Sequence, residues 1–244
     1  MTRILLTISI LWLVTPVWAA GGDNEFIEHS GANVENLASL QRGAATFANY
    51  CNSCHSAQYM RYQRLTQDLE LTEEQVDQFL IFGERDLTDY MKAAMPAESK
   101  DWFGVQPPDL TLTARSRGGD WIYSFLKSFY MTGEGWNNAV LENASMPHVL
   151  WELQGIQRPI LETWTDESGE EHTRIAQFEL DQPGKLNAQE YDRTIRDLTA
   201  FMIYLAEPAV LERESLGIWV ILFLVVFTFL AYLLYKDYWQ DVRK

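Results

Sequence analysis

Basic residues, cysteines and phosphate-cradling glycine motifs are what this 244-residue chain has least of, and each scarcity excludes something. Lysine and arginine number 19 against 34 aspartates and glutamates, a formal net charge of −15. Neutralising a phosphate backbone needs a basic excess, so no nucleic-acid partner is expected. Two cysteines rule out a disulfide-dense scaffold and any four-cysteine zinc or iron–sulfur site. The chain has no glycine-rich phosphate loop, internal repeat or low-complexity tract. Its length suits one medium domain with appendages.

The charge is unevenly placed. Outside residues 21–235 the only bases are Arg3, Lys236, Arg243 and Lys244, and the only acids Asp237 and Asp241, which leaves 15 bases and 32 acids between two apolar ends. Residues 1–19 read as a secretory signal: Arg3 precedes the apolar stretch from Ile4 to Val14, and Val17-Trp18-Ala19 offers a cleavage site. Gly217 to Tyr235 runs 19 residues without a charge, about 28 Å as a helix and enough to cross a bilayer. Trp219 at one edge and Tyr232, Tyr235, Tyr238 and Trp239 at the other suit the membrane interfaces. The expected organisation is a signal (1–19), an acidic periplasmic body (20–215), a single transmembrane helix (216–235) and a cytoplasmic tail (236–244) at the inner membrane. The basic tail agrees with the positive-inside bias.

Both cysteines fall in Cys51-Asn52-Ser53-Cys54-His55. This is the spacing of covalent c-type haem attachment. Two thiols one helical turn apart can form thioethers with the two vinyl groups of one haem, and the adjacent His55 lies under the iron. A dithiol redox pair has no use for the histidine. A zinc site would need a fourth ligand, from His29, His148 or His172.

His55 leaves one iron face open, and the sixth ligand decides between electron transfer, oxygen chemistry and sensing. Beyond the initiator, the methionines are Met60, Met91, Met95, Met131, Met146 and Met202. Met60 is too close to His55 to cross easily to the opposite face, and Met202 belongs on the apolar stripe of a helix. Met95-Pro96 and Met146-Pro147 stand nearly level, because proline keeps the preceding residue extended; His148 is third. The position of Met146 between the motif and the last helix favours it slightly.

The fold class expected is mainly α. Asn36 to Tyr50 has apolar residues at helical spacing and leads into the motif, and Gly43 would admit a second helix. Asn187-Ala188-Gln189-Glu190 has the form of a capping box opening a helix that runs to Pro208. Between them, Thr72 to Met95 and Asp120 to Tyr130 read as helices. Ile160 to Thr165 and Thr173 to Leu180 flank Asp166-Glu167-Ser168-Gly169 as a hairpin. A first helix leading to the haem and a last one crossing it is the frame of class I c-type cytochromes, here with insertions and one C-terminal transmembrane helix.

Several segments together resemble the cytochrome c1 family, the membrane-anchored haem subunit of the ubiquinol:cytochrome c oxidoreductase (bc1) complex. They are Cys51 to Ser56 followed by Arg61-Tyr62, the run Pro107-Pro108-Asp109-Leu110, Arg115 to Asp120, Tyr123 to Leu126, Met146 to Trp151, and the C-terminal span. The haem motif is common to c-type cytochromes; the Pro-Pro-Asp-Leu run is more specific. The residues after Met146 look bacterial rather than mitochondrial.

The resemblance implies one covalent haem c carried by Cys51 and Cys54, with His55 and Met146 as axial ligands. It implies Arg117 near the propionates, a role that suits its forked donors, and Pro107 and Pro108 as a haem wall. Trp121 stands where the family often has tyrosine. The implied role is that of an electron carrier rather than an enzyme in itself, passing electrons from a Rieske iron–sulfur protein to a soluble cytochrome c. Its partners would be cytochrome b, membrane lipid and a second copy of a dimeric complex. The other readings are a membrane-anchored carrier serving another dehydrogenase or oxidase, and a haem enzyme or gas sensor. The acidic clusters Asp68 to Asp77, Glu84 to Asp89 and Asp166 to Glu171 could steer a basic acceptor.

Overall fold

The computed structural model describes residues 24–96, 98–166 and 168–240, without the side chain of Glu214. The expected signal segment lies outside the described residues. Helix α1 (Leu37–Tyr50) leads through the cysteine motif to strand β1 (Ala57–Arg61), then to α2 (Tyr62–Asp68) and α3 (Glu73–Leu80). Strand β2 (Tyr90–Met91) pairs antiparallel with β1, and the short helices α4 (Ser99–Phe103) and α5 (Thr113–Arg117) precede α6 (Gly119–Lys127). Strands β3 (Phe129–Met131) and β4 (Trp136–Asn138) form a second antiparallel ladder. After the turn α7 (Trp151–Gln154), β5 (Gly155–Thr165) and β6 (Glu171–Pro183) form a third. Helix α8 (Ala188–Ala206) closes the body and α9 (Val210–Tyr238) leaves it.

The α1–α8 crossing is the centre of the core. Asn36 caps α1 by accepting from the Ser39 amide, and Asn187 opens α8 in a reciprocal capping box with Glu190. Leu40, Ala44 and Phe47 of α1 are buried against Leu198, Phe201 and Leu205 of α8, each large side chain contributing about 1.5–3 kcal/mol. The Phe47 and Phe201 rings lie 5.6 Å apart. Gly43 permits this approach: a Cβ there would sit 2.2 Å from the Asp197 carbonyl oxygen. Beside it the buried Asp197 carboxylate accepts from Ser39 Oγ and, at 2.6 Å, from Arg42 Nε. The helix crossing expected from the sequence is therefore present.

Two expected helices are shorter. The stretch from Thr72 to Met95 is helical only over Glu73–Leu80. It ends because Ile81 turns extended, with its amide bonded back to Val76 O, and Gly83 takes a positive φ of 82°. The chain then turns at Asp86 to Asp89, and Tyr90–Met91 joins a strand ladder that the helical period concealed. The second helix stops at Lys127, and Phe129–Met131 becomes β3.

The hairpin is longer than its sequence signal. Its ladder runs from Thr165 opposite Glu171 down to Gly155 opposite Pro183, with irregularities after Ile156 and Ile160. Its base packs on the body, Phe178 against Phe26 and Tyr130 with Gln157 Nε2 donating to the carbonyls of Lys127 and Phe129, and further out Arg174 lies 4.0 Å from Glu25.

Helix α9 carries the apolar segment Ser215–Tyr238, of mean hydropathy 2.6 and wholly exposed. A helix apolar on every side and covered on none is built for lipid or a partner helix. Where it leaves the body, Glu207 accepts from both Arg115 of α5 (2.9 Å) and Arg213 of α9 (2.6 Å).

Candidate functional site

The cysteine motif continues α1 by one turn. The amides of Cys51 and Asn52 both reach Phe47 O, and those of Cys54 and His55 both reach Cys51 O (3.1 and 2.8 Å). This turn sets the two thiols and the imidazole at one end of the core's main helix. Cys51 is buried, Cys54 half-buried, and neither is in a disulfide. Burial, reinforced by the neighbouring Cys54 thiol, pushes Cys51 up to about 12. Such a thiol is a poor candidate for a reactive dithiol couple.

His55 Nδ1 lies 2.8 Å from the carbonyl oxygen of Pro108. A carbonyl can only accept, so Nδ1 carries the proton and Nε2 keeps its lone pair for a metal. Burial lowers the imidazole pKa, against the raising pull of the Pro108 carbonyl and the Asp109 carboxylate. Further bonds tie the Pro-Pro-Asp-Leu run, and the loop after β2, to the segment that follows the motif. The Leu110 amide donates to Ser56 O (2.8 Å), the Gln58 amide to Asp109 Oδ2 (2.8 Å), and the Ala93 amide to Ser56 Oγ (2.8 Å). Pro107 is half-buried and Pro108 exposed.

The other sequence candidates are placed as follows. Met146 is half-buried and packs against the hydrophobic cluster that contains Cys51, as do Leu110, Ala114 and Trp121. Met95 is half-buried in the loop after β2. Met60, Met91 and Met202 are buried in the core. His148 is 2% exposed, stacked on Phe129 with centroids 5.0 Å apart and edge-on to Trp136 at 5.1 Å. Burial lowers its pKa to about 4, only partly opposed by Gln154. Arg117 is exposed with its guanidinium 5.1 Å from the Trp121 ring centroid, and among the described residues no carboxylate pairs with it. Trp121 in turn stacks on Phe125 at 5.0 Å.

No zinc site assembles around the cysteine pair among the described residues. His29 pairs with Asp120 (3.1 Å), His172 with Asp166 (2.9 Å), and His148 is enclosed by aromatics. The donor set, two free thiols and an imidazole with one nitrogen committed to a backbone carbonyl, fits a c-type haem. The Pro108 carbonyl and the Ser56 and Asp109 bridges were not read from the sequence. Their signal was the Pro-Pro-Asp-Leu run itself, which marks a rigid segment without showing what it touches.

The sequence model of the Cytochrome C1 family matches residues 32–154 and 185–242, leaving only the hairpin between them unmatched. The chain is 45% identical to cytochrome c1 of Allochromatium vinosum over the full length of both. It is 43% identical to the ammonia monooxygenase gamma subunit of Nitrosomonas europaea over 84% of each chain. A cytochrome c1 of Rhodospirillum rubrum is 29% identical over 57% of this chain and 52% of that one.

Proposed function

The chain belongs to the cytochrome c1 family, the membrane-anchored electron-transfer haem subunit of bc1-type complexes, which carries a covalent c-type haem, and from that premise we propose the following roles for its residues. Cys51 and Cys54 hold one haem by thioethers, and the presence of a single attachment motif supports that number. His55 Nε2 and the Met146 thioether are the two axial ligands. When bound, the haem supplies a one-electron ferric/ferrous couple.

The observation that carries this reading is the Pro108 carbonyl on His55 Nδ1. It fixes the tautomer and the ring plane, and it makes the imidazole a stronger electron donor. Pro107 and Pro108 then act as a wall whose position is set by Leu110 and Asp109 rather than by their own rings. Arg117, with no carboxylate partner among the described residues, is suited to the propionates. Met146, packed against the cluster that contains Cys51, would supply a thioether to the iron, and a thioether ligand raises the potential. Met146→Ala should lower the midpoint potential and open the reduced iron to carbon monoxide. An unchanged potential with no carbon monoxide binding would transfer the role to Met95.

In this reading the haem domain lies in the periplasm, residues 216–235 span the inner membrane once, and the tail is cytoplasmic. Electrons arrive from a Rieske protein and leave to a soluble cytochrome c, with cytochrome b and a second copy completing the complex. Glu84, Asp86 and Asp89 are exposed and suit a basic acceptor. Electron transfer to that acceptor should slow as salt rises; a salt-independent rate contradicts steering.

A second reading, a membrane-anchored carrier serving a different oxidoreductase, is favoured by the name of the Nitrosomonas relative. Isolation in mild detergent separates the two: cytochrome b and a Rieske protein copurify in the first and not in the second.

A further inference from the structure

We propose that His148 is the positioning residue of the strap that carries Met146, a buried aromatic plug that fixes where the thioether sits. The inference rests on the reading of Met146 as an axial ligand. It does not follow from that reading, which is silent on how an exposed loop keeps a ligand in place.

The strap has two anchors and little between them. Upstream, Asn138 is buried and its Oδ1 accepts from the amides of Val140 (2.9 Å) and Leu141 (3.0 Å), while its Nδ2 donates to Phe125 O (2.7 Å). Asn137 Oδ1 accepts from the Asn143 amide at 2.8 Å, and Asn143 takes a positive φ of 57°. Ser145 and Pro147 are exposed on either side of the half-buried Met146. Downstream the chain re-enters the body at His148. The ring lies flat on Phe129, 7° from parallel, and meets Trp136 edge-on. Both partners belong to the β3–β4 ladder, so a piece of sheet holds the strap's end through one side chain. Leu150, 1% exposed, and the Trp151 amide on His148 O (3.3 Å) continue the anchor.

His148 holds the end of the strap through its ring rather than through its polar atoms. Its Nε2 is buried without a hydrogen-bond partner, and so is Oε1 of Gln154, whose Nε2 donates to Lys127 O at 2.9 Å. Leaving such groups unpaired costs stability. That cost is offset here by the stacked ring, which a smaller side chain could not replace. Only Pro147 separates the plug from the thioether-bearing Met146, so displacing the ring moves the sulfur directly. Partners outside the first coordination sphere act on metal sites by fixing the ligand's position in this way.

The test uses the full-length haem-loaded protein and three substitutions, His148→Phe, His148→Ala and Met146→Ala. The readouts are the long-wavelength sulfur-to-iron charge-transfer band, the midpoint potential and cyanide binding to the ferric form. His148→Phe keeps the plug and should retain the band, the potential and slow cyanide binding. His148→Ala should weaken the band and tighten cyanide binding by roughly tenfold to a hundredfold, the usual effect of losing an outer-shell partner. If His148→Ala does not accumulate, Phe129→Leu removes the stacking partner from outside the strap and carries the same expectation. A wild-type band and cyanide affinity in His148→Ala, with Met146→Ala open, overturn the plug and leave the ligand assignment standing. A His148→Phe as open as His148→Ala also overturns it. An unaltered band in Met146→Ala overturns the ligand assignment, and the plug with it.

Discussion

The attachment seam and the β5–β6 hairpin are both held by backbone-directed hydrogen bonds, yet the partners stand at very different distances along the chain. His55 and Pro108 are 53 residues apart, Gln58 and Asp109 51. In the hairpin each strand pairs with its neighbour, and the tip is closed by Asp166 with Ser168, Glu170 and His172, all within six residues. The seam therefore exists only when the core has assembled, whereas the hairpin's outer half can fray without disturbing anything beneath it. The family model respects the same division, matching the seam and passing over the hairpin.

Removing the chemistry of the seam gives the largest effect. Cys51→Ala combined with Cys54→Ala should abolish covalent haem, read as loss of haem from the denatured polypeptide. Covalent haem that survives the double substitution would break the comparison at its first term.

Next comes the core that supports the seam. A Cβ at Gly43 would lie 2.2 Å from backbone at Asp197 and 2.7 Å from Phe201 Cβ, so Gly43→Val should destabilise by about 3 kcal/mol, the upper part of the range for overpacking. Thermal unfolding of the haem-loaded protein measures it. A melting temperature within error of wild type would mean that the helices can separate at no cost.

Acid sharpens the comparison further, because the core that supports the seam and the hairpin each hold a carboxyl shifted in the same direction for different reasons. Burial raises Asp192, but hydrogen bonds from Tyr123 and Lys127 of α6 outweigh it and the net pKa is lowered. Asp166 is held well below the carboxylate range by Ser168, His172 and Glu170 of its own turn. A depressed folded pKa contributes stability that is complete above the unfolded value near 3.9 and is lost as pH falls through the folded one. For Asp192 the partners join two core helices, so the loss is global. Asp192→Asn should narrow the gap between urea midpoints at pH 7 and pH 3. Asp166→Asn should narrow it far less, since its partners lie within one surface turn where solvent screens the interaction. Equal narrowing in both variants would remove the distinction.

What was legible in the sequence follows the same line. The motif, the capping box at Asn187, the glycine crossing and the hairpin are local patterns of a few residues, and all are present. The strand at Tyr90–Met91 was concealed because its partner lies some thirty residues upstream, and two residues carry no period of their own. The carbonyl on His55 was concealed for the same reason: a backbone acceptor has no residue type to mark it. His148 was read as a possible ligand because composition shows a histidine beside a methionine but not the Phe129 and Trp136 rings around it.

The smallest effect expected is at the hairpin's outer half. Leu161 and Trp164 are exposed, and apart from the 4.0 Å approach of Arg174 to Glu25 the contacts with the body among the described residues stop at Gln157 and Phe178. Cutting the ladder at the Ile160–Gln177 pair and closing it with Asn-Gly keeps those contacts and supplies the turn a two-residue loop needs. Stability should change by less than about 0.5 kcal/mol, as for surface changes that touch no core feature, and the haem spectrum and midpoint potential should not move. A shift in potential would mean that the tip reaches the haem environment through Arg174, whose guanidinium sits over Trp164 and 4.0 Å from Glu25. The two regions would then be coupled across the N-terminal segment, and the separation drawn from their hydrogen bonds would hold for folding but not for the redox centre.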